Sequence, residues 1–407
     1  MAENADAWSD NSLDLDGSRV IDRKIYVDEA LFEAEQSELF GRTWQWVAHI
    51  SEIPAFGDYV TATIANRPIV VVRGEEDQIT AFYNTCTHRG AMIAAGARGN
   101  CGGAFTCLYH AWSFDTEGKL ASVPQSAAYG EGLKKGCYDI PKIRAEVFAG
   151  NIFINLDTEA EPLTEFLGSS ASYIAECTED WEALGRVRWT LEGNWKLWHE
   201  NFRDNYHPMY AHQMLGLNYQ GVKVDGENID LQNGHSVMPF PLQGNPQHYA
   251  NSVRRLTGRP FEPRIRFENA AEDDIHMILA VFPNLDFQHG TGPGAYTYLQ
   301  TVRPLSLDRA VVEFICFGRK GESAEDRKSR LQYSVDTQTA SGKISGDDNE
   351  AARRCSIGFG AIDAVRWSNM DRGQAPGLTG HKNDEYSLRG FYRQYKKYLG
   401  SYLPGDR

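Results

Sequence analysis

The stretch Cys86-Thr-His88-Arg-Gly, followed after a glycine-rich loop by Cys107-Leu-Tyr-His110-Ala-Trp, decides how the rest of the sequence is interpreted. Each of its two arms offers one cysteine and one histidine, spaced as Cys-x-His in the first arm and Cys-x-x-His in the second. Glycines are frequent in and between the arms, and they allow two loop tips to approach one inorganic core. We therefore expect Cys86, His88, Cys107 and His110 to bind a cofactor together.

The mixed arms favour an iron–sulfur cluster over zinc. A zinc finger places a pair of cysteines before a pair of histidines, whereas each arm here carries one of each. In a Rieske [2Fe–2S] centre, two thiolates hold one iron and two imidazoles hold the other. Structural zinc and a chance arrangement are the alternatives, and the specificity of the spacing makes both less favoured.

Length and composition predict a globular protein of two or three domains, with 407 residues of which 42% are hydrophobic. The net charge of −14, without a basic tract, argues against nucleic acid as a partner. Apolar runs are short, so we expect no membrane span, and residues 1–18 lack the features of a secretion signal. Of the seven cysteines, the five outside the arms have no framework spacing, which suits a reducing cytoplasm.

The chain divides into three stretches. Residues 1–45 are expected to form an N-terminal segment packing on the catalytic domain, with Asp28 capping a helix over residues 29–44. Residues 46–160 consist of short β-type runs broken by Gly, Pro and Asn, and they predict an antiparallel, all-β domain carrying both arms on loops. Residues 161–407 alternate helices and strands, which predicts an antiparallel sheet covered by helices. The fold class is therefore α+β.

A second candidate metal site lies in the third stretch. Asp204 and His207 are three residues apart and would share one face of a helix beginning at Asn194. Pro208 is expected to end or kink that helix, so that His212 can turn back to the same point. Two imidazoles and one carboxylate form the facial triad of a non-haem ferrous site. The alternative is two ordinary histidines near a helix end, and an electron donor in the same chain favours iron.

The third ligand is expected from the downstream part of the chain. Asp347 and Asp348 open a predicted helix, where one acidic residue is expected as a cap and the other would face the iron. Further acidic candidates are Asp286, Asp308, Asp363 and Asp371. Spacing alone leaves these alternatives open.

With both motifs in this order, the sequence resembles the large (α) subunit of Rieske non-haem iron aromatic-ring-hydroxylating oxygenases over essentially its whole length. The resemblance places the third iron ligand at Asp348, with Asp347 as the fallback. It also identifies Asp204 as a catalytic carboxylate, linking a cluster histidine of one subunit to an iron histidine of the next. A head-to-tail trimer is implied, either α3 or α3β3 with a small β subunit.

The resemblance further implies the cofactors and the reaction. These are a [2Fe–2S] Rieske cluster, mononuclear Fe(II), O2 as cosubstrate, and NAD(P)H acting through a separate reductase or ferredoxin. The chain itself has no Gly-x-Gly-x-x-Gly fingerprint after a predicted strand. The expected product is a cis-dihydrodiol of an aromatic compound. A monooxygenase of the same fold is the first alternative, and a Rieske electron carrier with an inactive second domain is another.

The substrate is expected to be an aromatic compound, in particular an aromatic carboxylate. Asn194-Trp-Lys-Leu and Ser387-Leu-Arg389-Gly-Phe-Tyr look most like the salicylate, anthranilate, terephthalate and halobenzoate branch. Arg389 is a candidate clamp for a carboxylate, or else a partner in a salt bridge. Gln300 stands where the terephthalate subgroup has a second arginine. The other candidate substrate residues are Asn201, Phe359, the stretch 207–217, Val281, Phe287, Tyr296, Tyr298 and Trp367.

Overall fold

The computed structural model describes residues 20–212, 226–241, 275–290, 296–373 and 377–403. The chain forms two compact units, one from Gln36 to Phe166 and the other from the chain before Gln36 and from Leu167 onward. The α+β prediction is confirmed, with an all-β unit and a second unit in which helices pack on an antiparallel sheet. The domain limits at 45/46 and 160/161 stay predictions. Residues 1–19 and 213–217, which also carried predictions, lie outside the described residues.

The described chain begins with β1 (Val20–Asp22) and α1 (Glu29–Ala34), both in the larger unit. Asp28 caps α1 as predicted, because its carboxylate accepts a hydrogen bond from the Leu31 amide at 2.8 Å. The helix is shorter than the predicted span of residues 29–44: a π-helical turn, Glu35–Phe40, follows it, and β2 starts at Gln45.

The smaller unit is built around an antiparallel sheet with the order β2-β11-β10-β5-β4-β3-β6. Residues 69–72 in its middle are all buried, and their side chains alternate between two hydrophobic clusters. Val70 and Val72 join the cluster that contains Cys86 and Cys107, so this face of the sheet supports both arms. The strands are β2 (Gln45–His49), β3 (Asp58–Ile64), β4 (Arg67–Arg73), β5 (Ile79–Tyr83), β6 (Arg98–Asn100), β7 (Ala104–Thr106), β8 (Ser113–Asp115), β9 (Leu120–Ser122), β10 (Lys142–Phe148) and β11 (Asn151–Asn155).

The larger unit contains an antiparallel sheet with the order β12-β18-β17-β16-β15-β14-β13-β20. Its strands are β12 (Trp181–Leu191), β13 (Glu227–Gln232), β14 (His235–Pro241), β15 (Ile275–Val281), β16 (Leu285–Gly290), β17 (Tyr296–Ser306), β18 (Arg309–Arg319) and β20 (Thr379–His381), while β19 (Trp367–Asn369) pairs with β1. The helices from here on are α2 (Leu163–Leu167), α3 (Ser170–Thr178), α4 (Trp195–Asn201), α5 (Pro208–Ala211), α6 (Ala324–Gln338), α7 (Ser345–Gly358) and α8 (Tyr386–Leu399). Within the described ranges, no helix is long and apolar enough to cross a membrane.

Helix α4 is fixed to the sheet by buried hydrogen bonds. The Trp198 indole donates to the Gln300 side-chain oxygen at 2.9 Å, and His199 Nδ1 lies 2.9 Å from Asp286 Oδ2. Burial and the charge of Arg203 hold the pKa of His199 well below its ordinary value, so the ring is neutral and donates to Asp286. Asp286 was one of the acidic residues considered as the third iron ligand. In the structure it lies beneath α4 and contacts His199 instead.

A buried ion pair ties the N-terminal segment to the same helix. Lys196 Nζ lies 2.6 Å from Glu35 Oε1, and both side chains are at most 1% exposed. The Trp195 indole donates to the other Glu35 oxygen at 2.8 Å, and the Tyr395 hydroxyl of α8 also donates to Glu35. Hydrogen bonds on both carboxylate oxygens compensate part of the cost of burying this charge.

We expect Lys196→Met to lower the free energy of unfolding of the larger unit by about 3–5 kcal/mol, because Glu35 would keep a buried charge without its counter-ion. The shift should appear in guanidinium denaturation followed by tryptophan fluorescence. The double variant Lys196→Met/Glu35→Gln removes both charges and retains an acceptor for Trp195, so it should recover most of the loss. An unchanged denaturation midpoint in the single variant would contradict the proposed energetics.

Candidate metal centres

The two arms of the smaller unit form loops with the same hydrogen-bond pattern. In the first, the Cys86 amide donates to the Ala91 carbonyl at 2.8 Å and the Gly90 amide donates to the Cys86 carbonyl at 2.8 Å. In the second, the residues at the same offsets from Cys107 do the same, at 2.8 and 2.9 Å. The fourth residue after each cysteine has a positive φ, +78° at Gly90 and +56° at Ala111. The two loops therefore have similar backbone conformations, and each presents one cysteine and one histidine.

These loops bring like ligands together. Burial and the adjacent thiol of Cys107 raise the pKa of Cys86, which places the two buried sulfurs side by side. The His88 and His110 rings lie 4.6 Å apart, and His88 stacks on Trp112 at 4.7 Å. His88 Nδ1 is buried and has no hydrogen-bond partner among the residues that the structure describes. A thiol pair beside an imidazole pair, with one orphaned ring nitrogen, fits a [2Fe–2S] cluster of the Rieske type.

The second site is built on a turn, and here the sequence-based helix is wrong. Helix α4 ends at Asn201, so Asp204 and His207 lie in the following turn instead of on one helical face. Pro208 does not end a helix; it occupies the first position of α5, where its missing N–H is no loss. The short helix then carries the chain to His212, so the two histidines still meet, with ring centroids 5.2 Å apart.

Asp348 completes a three-residue cluster with these histidines. Ligand atoms of His207, His212 and Asp348 all lie within 4.8 Å of one another, the one such group among the described residues that could hold a single ion. Asp348 Oδ1 lies 3.5 Å from His207 Nε2 and 3.2 Å from His212 Nε2. Two imidazoles and a carboxylate converging on one point fit a ferrous ion with open coordination positions.

Each histidine of the cluster also faces an outer carboxylate. His212 Nδ1 lies 3.3 Å from Asp347 Oδ2, and His207 Nδ1 lies 3.6 Å from Asp204 Oδ2. Burial lowers the pKa of His207, but contacts with Asp204 and Asp348 outweigh it and raise that pKa to about 9. The site therefore favours a positive charge, which a divalent cation supplies. Carboxylates in these positions fix the tautomer that presents Nε2 to a metal.

Asn201 bridges two members of the cluster. Its amide nitrogen donates to Asp348 Oδ1 at 3.1 Å and lies 3.3 Å from His207 Nε2. The side chain before it, Glu200, accepts hydrogen bonds from the hydroxyls of Tyr26, at 2.8 Å, and Tyr392. Burial raises the pKa of Glu200 to about 7, although both tyrosine contacts oppose that rise. Asn201 thus adjoins the metal cluster, whereas its predicted contact with substrate stays a prediction.

The other predicted substrate residues lie elsewhere. The Arg389 guanidinium donates to the carbonyls of Met370, Arg372 and Gly373, at 3.0, 3.0 and 2.6 Å. Phe359 stacks on Tyr26 with ring centroids 4.5 Å apart. Neither belongs to the cluster around Asp348, and their roles towards substrate stay predictions.

The predicted lining residues of the sheet divide between its two faces. Tyr298 pairs with Gln288 on the face that also presents Asp286 and Gln300 to α4, whereas Phe287 points to the opposite face. Val281 shares that opposite face, because it is two residues from Leu279, the partner of Phe287. Trp367 lies on β19, which pairs with β1.

Sequence reasoning missed some residues around these sites. Asp347 was considered as a helix cap or a substitute ligand, yet it faces the outer nitrogen of His212. The contact between Trp112 and His88 was not predicted either, and neither was the pairing of Gln288 with Tyr298. A signal for Asp347 existed, since two adjacent aspartates at a helix start point in different directions. The sequence held no signal for the pairing of Gln288 with Tyr298, because the register between two strands determines which residues are neighbours.

Comparisons with known proteins match both units. A model of the Rieske [2Fe-2S] domain matches residues 43–142, and one of the ring hydroxylating alpha subunit (catalytic domain) matches residues 178–401. The anthranilate 1,2-dioxygenase large subunit of Acinetobacter baylyi is 32% identical over 88% of this chain and 81% of its own length. The 2-aminobenzenesulfonate 2,3-dioxygenase subunit alpha of Alcaligenes sp. is 28% identical, with 93% of each chain covered.

Solved structures give the same picture. Naphthalene 1,2-dioxygenase from Rhodococcus sp. bound to indole superposes with a TM-score of 0.83 at 25% identity, covering 96% of this chain and 97% of the other. A quaternary ammonium Rieske monooxygenase has a TM-score of 0.77 at 20% identity over 95% of this chain and 96% of its own, and so shares the fold.

Proposed function

Because the chain belongs to the family of Rieske ring-hydroxylating oxygenase α subunits, we propose that it is the terminal oxygenase that cis-dihydroxylates an aromatic acid. The observation that carries this proposal is the convergence of His207, His212 and Asp348 in a chain that also has a Rieske domain. Its cofactors are a [2Fe–2S] Rieske cluster and mononuclear Fe(II), with O2 as cosubstrate and NAD(P)H acting through a separate reductase. The reaction consumes O2, two electrons and two protons for each ring.

The proposed roles follow from the geometry of the described residues. Cys86 and Cys107 hold one iron of the cluster, and His88 and His110 hold the other. His207, His212 and Asp348 hold the mononuclear iron through Nε2, Nε2 and a carboxylate oxygen. When bound, the cluster supplies single electrons and the ferrous site supplies open positions for O2.

The polar residues around the ligands orient them. Asp347 keeps the proton of His212 on Nδ1, and Asn201 donates to Asp348 Oδ1, so that both ligands present their free electron pairs to one point. Asp204 faces the outer nitrogen of His207 in the same way. Outer contacts of this kind raise the basicity of a ligating imidazole.

Aromatic acids are the proposed substrates because relatives with substantial coverage are named for them. One is an anthranilate dioxygenase and another a 2-halobenzoate dioxygenase. A sulfonate appears in the name of a third, the 2-aminobenzenesulfonate dioxygenase. Carboxylates and sulfonates share an anionic oxygen group on a flat ring.

Asp204 is further proposed to connect two copies of the chain, by contacting a cluster histidine of a neighbouring copy in a head-to-tail trimer. Exposed apolar side chains on both units support such an association. Leu108 is 83% exposed and Tyr109 56% exposed beside His110, and Tyr210 is 70% exposed between His207 and His212. A small β subunit and a cytoplasmic location belong to the same proposal.

The test combines metal analysis with labelled oxygen. We expect about three irons per chain, two in a Rieske cluster and one at the mononuclear site. With a surrogate reductase and a panel of aromatic acids, O2 uptake should accompany NADH oxidation, and 18O2 should place two labelled atoms in the product. One labelled atom would make the chain a monooxygenase. Two irons and no O2 uptake would make it an electron carrier, and zinc without visible colour would overturn both.

A further inference from the structure

The sheet of the larger unit has an accessible window on the face that carries α4. Asp286 and Gln300 point to that face, since they contact His199 and Trp198 of α4. Two residues further along their strands, Gln288 and Tyr298 pair directly on the same face. Ile278 pairs with Gln288 from the other side. Both Ile278 and Gln288 are partly exposed, while the other described residues of β15 and β16 whose burial is assigned are buried.

This window adjoins the mononuclear site. Burial raises the pKa of Tyr298, and the charges of Tyr296, Tyr333 and Asp348 raise it further, which places the tyrosine within electrostatic reach of the third iron ligand. Helix α4, which covers the neighbouring row of the same face, ends at Asn201 against Asp348 and His207. The window and the metal site therefore lie on the same side of the sheet, the side that carries α4.

The polar atoms of the window are hydrogen-bond donors. The Tyr298 hydroxyl donates to the Gln288 side-chain oxygen, so the Gln288 amide nitrogen has both hydrogens available, with no partner among the described residues. In the adjacent row, His276 pairs with Gly290, and its Nδ1 lies against the Tyr296 hydroxyl. In the tautomer whose Nδ1 accepts from this hydroxyl, the ring proton is on Nε2, an atom with no hydrogen-bond partner among the described residues.

A positive charge lies near His276, at the end of the window away from α4. Burial, with the charges of His289 and Lys382, lowers the pKa of His276 to about 3, so its ring is a neutral donor at physiological pH. The Lys382 ammonium lies 5.0 Å from the Phe240 ring, and that ring packs against His276 with centroids 4.6 Å apart. Donors beside a cation suit an oxyanion and disfavour a substituent that donates hydrogen bonds.

We propose that Gln288 and His276 bind the anionic oxygen group of the aromatic substrate and thereby set substrate specificity. The inference rests on the proposed oxygenase function and deepens it. Oxygen atoms of a carboxylate or sulfonate accept from the Gln288 amide and from His276 Nε2. The aromatic ring then lies over the rest of the window. The Tyr296 ring that contacts His276 packs on Gly290, where a Cβ would come within 2.5 Å of that ring.

Gln288→Glu tests this with little change of shape, because it keeps an acceptor for Tyr298 and replaces the free donors by a negative charge. Binding of benzoate, benzenesulfonate and the neutral analogue benzamide to the iron-loaded protein is measured by calorimetry. We expect the wild-type protein to bind at least one of the two anions about tenfold or more tighter than benzamide. In Gln288→Glu, that anion should bind about 10- to 100-fold more weakly and benzamide nearly as before. Comparing benzoate with benzenesulfonate shows whether the site prefers a carboxylate or a sulfonate.

The matched control is Gln78→Glu, which adds the same charge at an exposed position of the other unit and should leave all three affinities unchanged. Like Gln288→Glu, His276→Phe should weaken the binding of the anions and leave the binding of benzamide nearly unchanged. Equal affinity of wild-type protein for anions and benzamide, or no effect of Gln288→Glu, would overturn the inference. If the protein nevertheless holds about three irons and couples NADH oxidation to O2 uptake, the oxygenase function stands. Loss of that function shows separately, as two irons or none.

Discussion

Asp204→Asn is expected to slow coupled turnover by about 10- to 100-fold or more while leaving the cluster spectrum and the iron content unchanged. The carboxylate lies 3.6 Å from His207 Nδ1, and its other oxygen accepts a hydrogen bond from the Tyr206 amide at 2.7 Å. Asparagine keeps the size and an acceptor for Tyr206 but removes the charge that orients the outer face of His207. If Asp204 also contacts a cluster histidine of a neighbouring copy, electron transfer between the two centres is slowed. Stopped-flow reoxidation of the reduced cluster, with O2 and substrate present, measures this step directly.

The design of the control separates a local effect from a general loss of charge. Asp308 lies in the turn between β17 and β18, is exposed, and accepts a hydrogen bond from Ser306 at 2.7 Å. Asp308→Asn should therefore behave as the wild-type protein does. Reoxidation at the wild-type rate in Asp204→Asn would exclude Asp204 from the transfer path. A lowered iron content in that variant would instead assign it a role in holding the metal.

Much of the fold could be predicted from the sequence because the interactions that determine it are between residues close together in the chain. The short apolar runs such as residues 69–72, the turn residues between them and the Asp28 cap each act over a few residues, and the structure has the predicted antiparallel strands and the predicted cap. The position of the two cluster arms on loops of the all-β domain could also be predicted. Both ligand pairs lie within one stretch, and the structure adds that the two loops have matching hydrogen bonds.

What the sequence could not give depends on tertiary contacts. The helix predicted to begin at Asn194 and to carry Asp204 and His207 ends at Asn201, and the chain turns there to bring His207 to Asp348. Pro208 is compatible with both the end and the start of a helix, and only the surrounding structure selects the start. Arg389 was predicted from the family resemblance as a carboxylate clamp or else a salt-bridge partner, and that role stays a prediction; in the structure its guanidinium donates to carbonyls of residues 370–373. The residue type limits which groups a side chain can bind, and the tertiary structure determines which of those groups lie near it.

The same limitation applied to the two aspartates at the start of α7, which the sequence left as alternatives. The structure distinguishes them by burial and by the nitrogen each one faces. Asp348 is buried and lies near both Nε2 atoms, whereas the half-exposed Asp347 side chain lies 3.3 Å from the outer nitrogen of His212. These positions support the proposal that Asp348 is the ligand and that Asp347 orients His212.

Asp348→Ala is therefore expected to remove the mononuclear iron and abolish detectable oxygenation, while the cluster spectrum is retained. Iron should fall from about three to about two atoms per chain, because two imidazoles alone leave an incomplete ligand set. Asp347→Asn keeps all three ligands and should retain the third iron, with an affinity lowered by about 10- to 100-fold. Plasma emission analysis after dialysis against a graded series of chelator concentrations resolves the two cases. If Asp347→Asn lost the iron outright and Asp348→Ala kept it, the two roles would have to be exchanged, and His212 would have to bind through Nδ1, which faces Asp347.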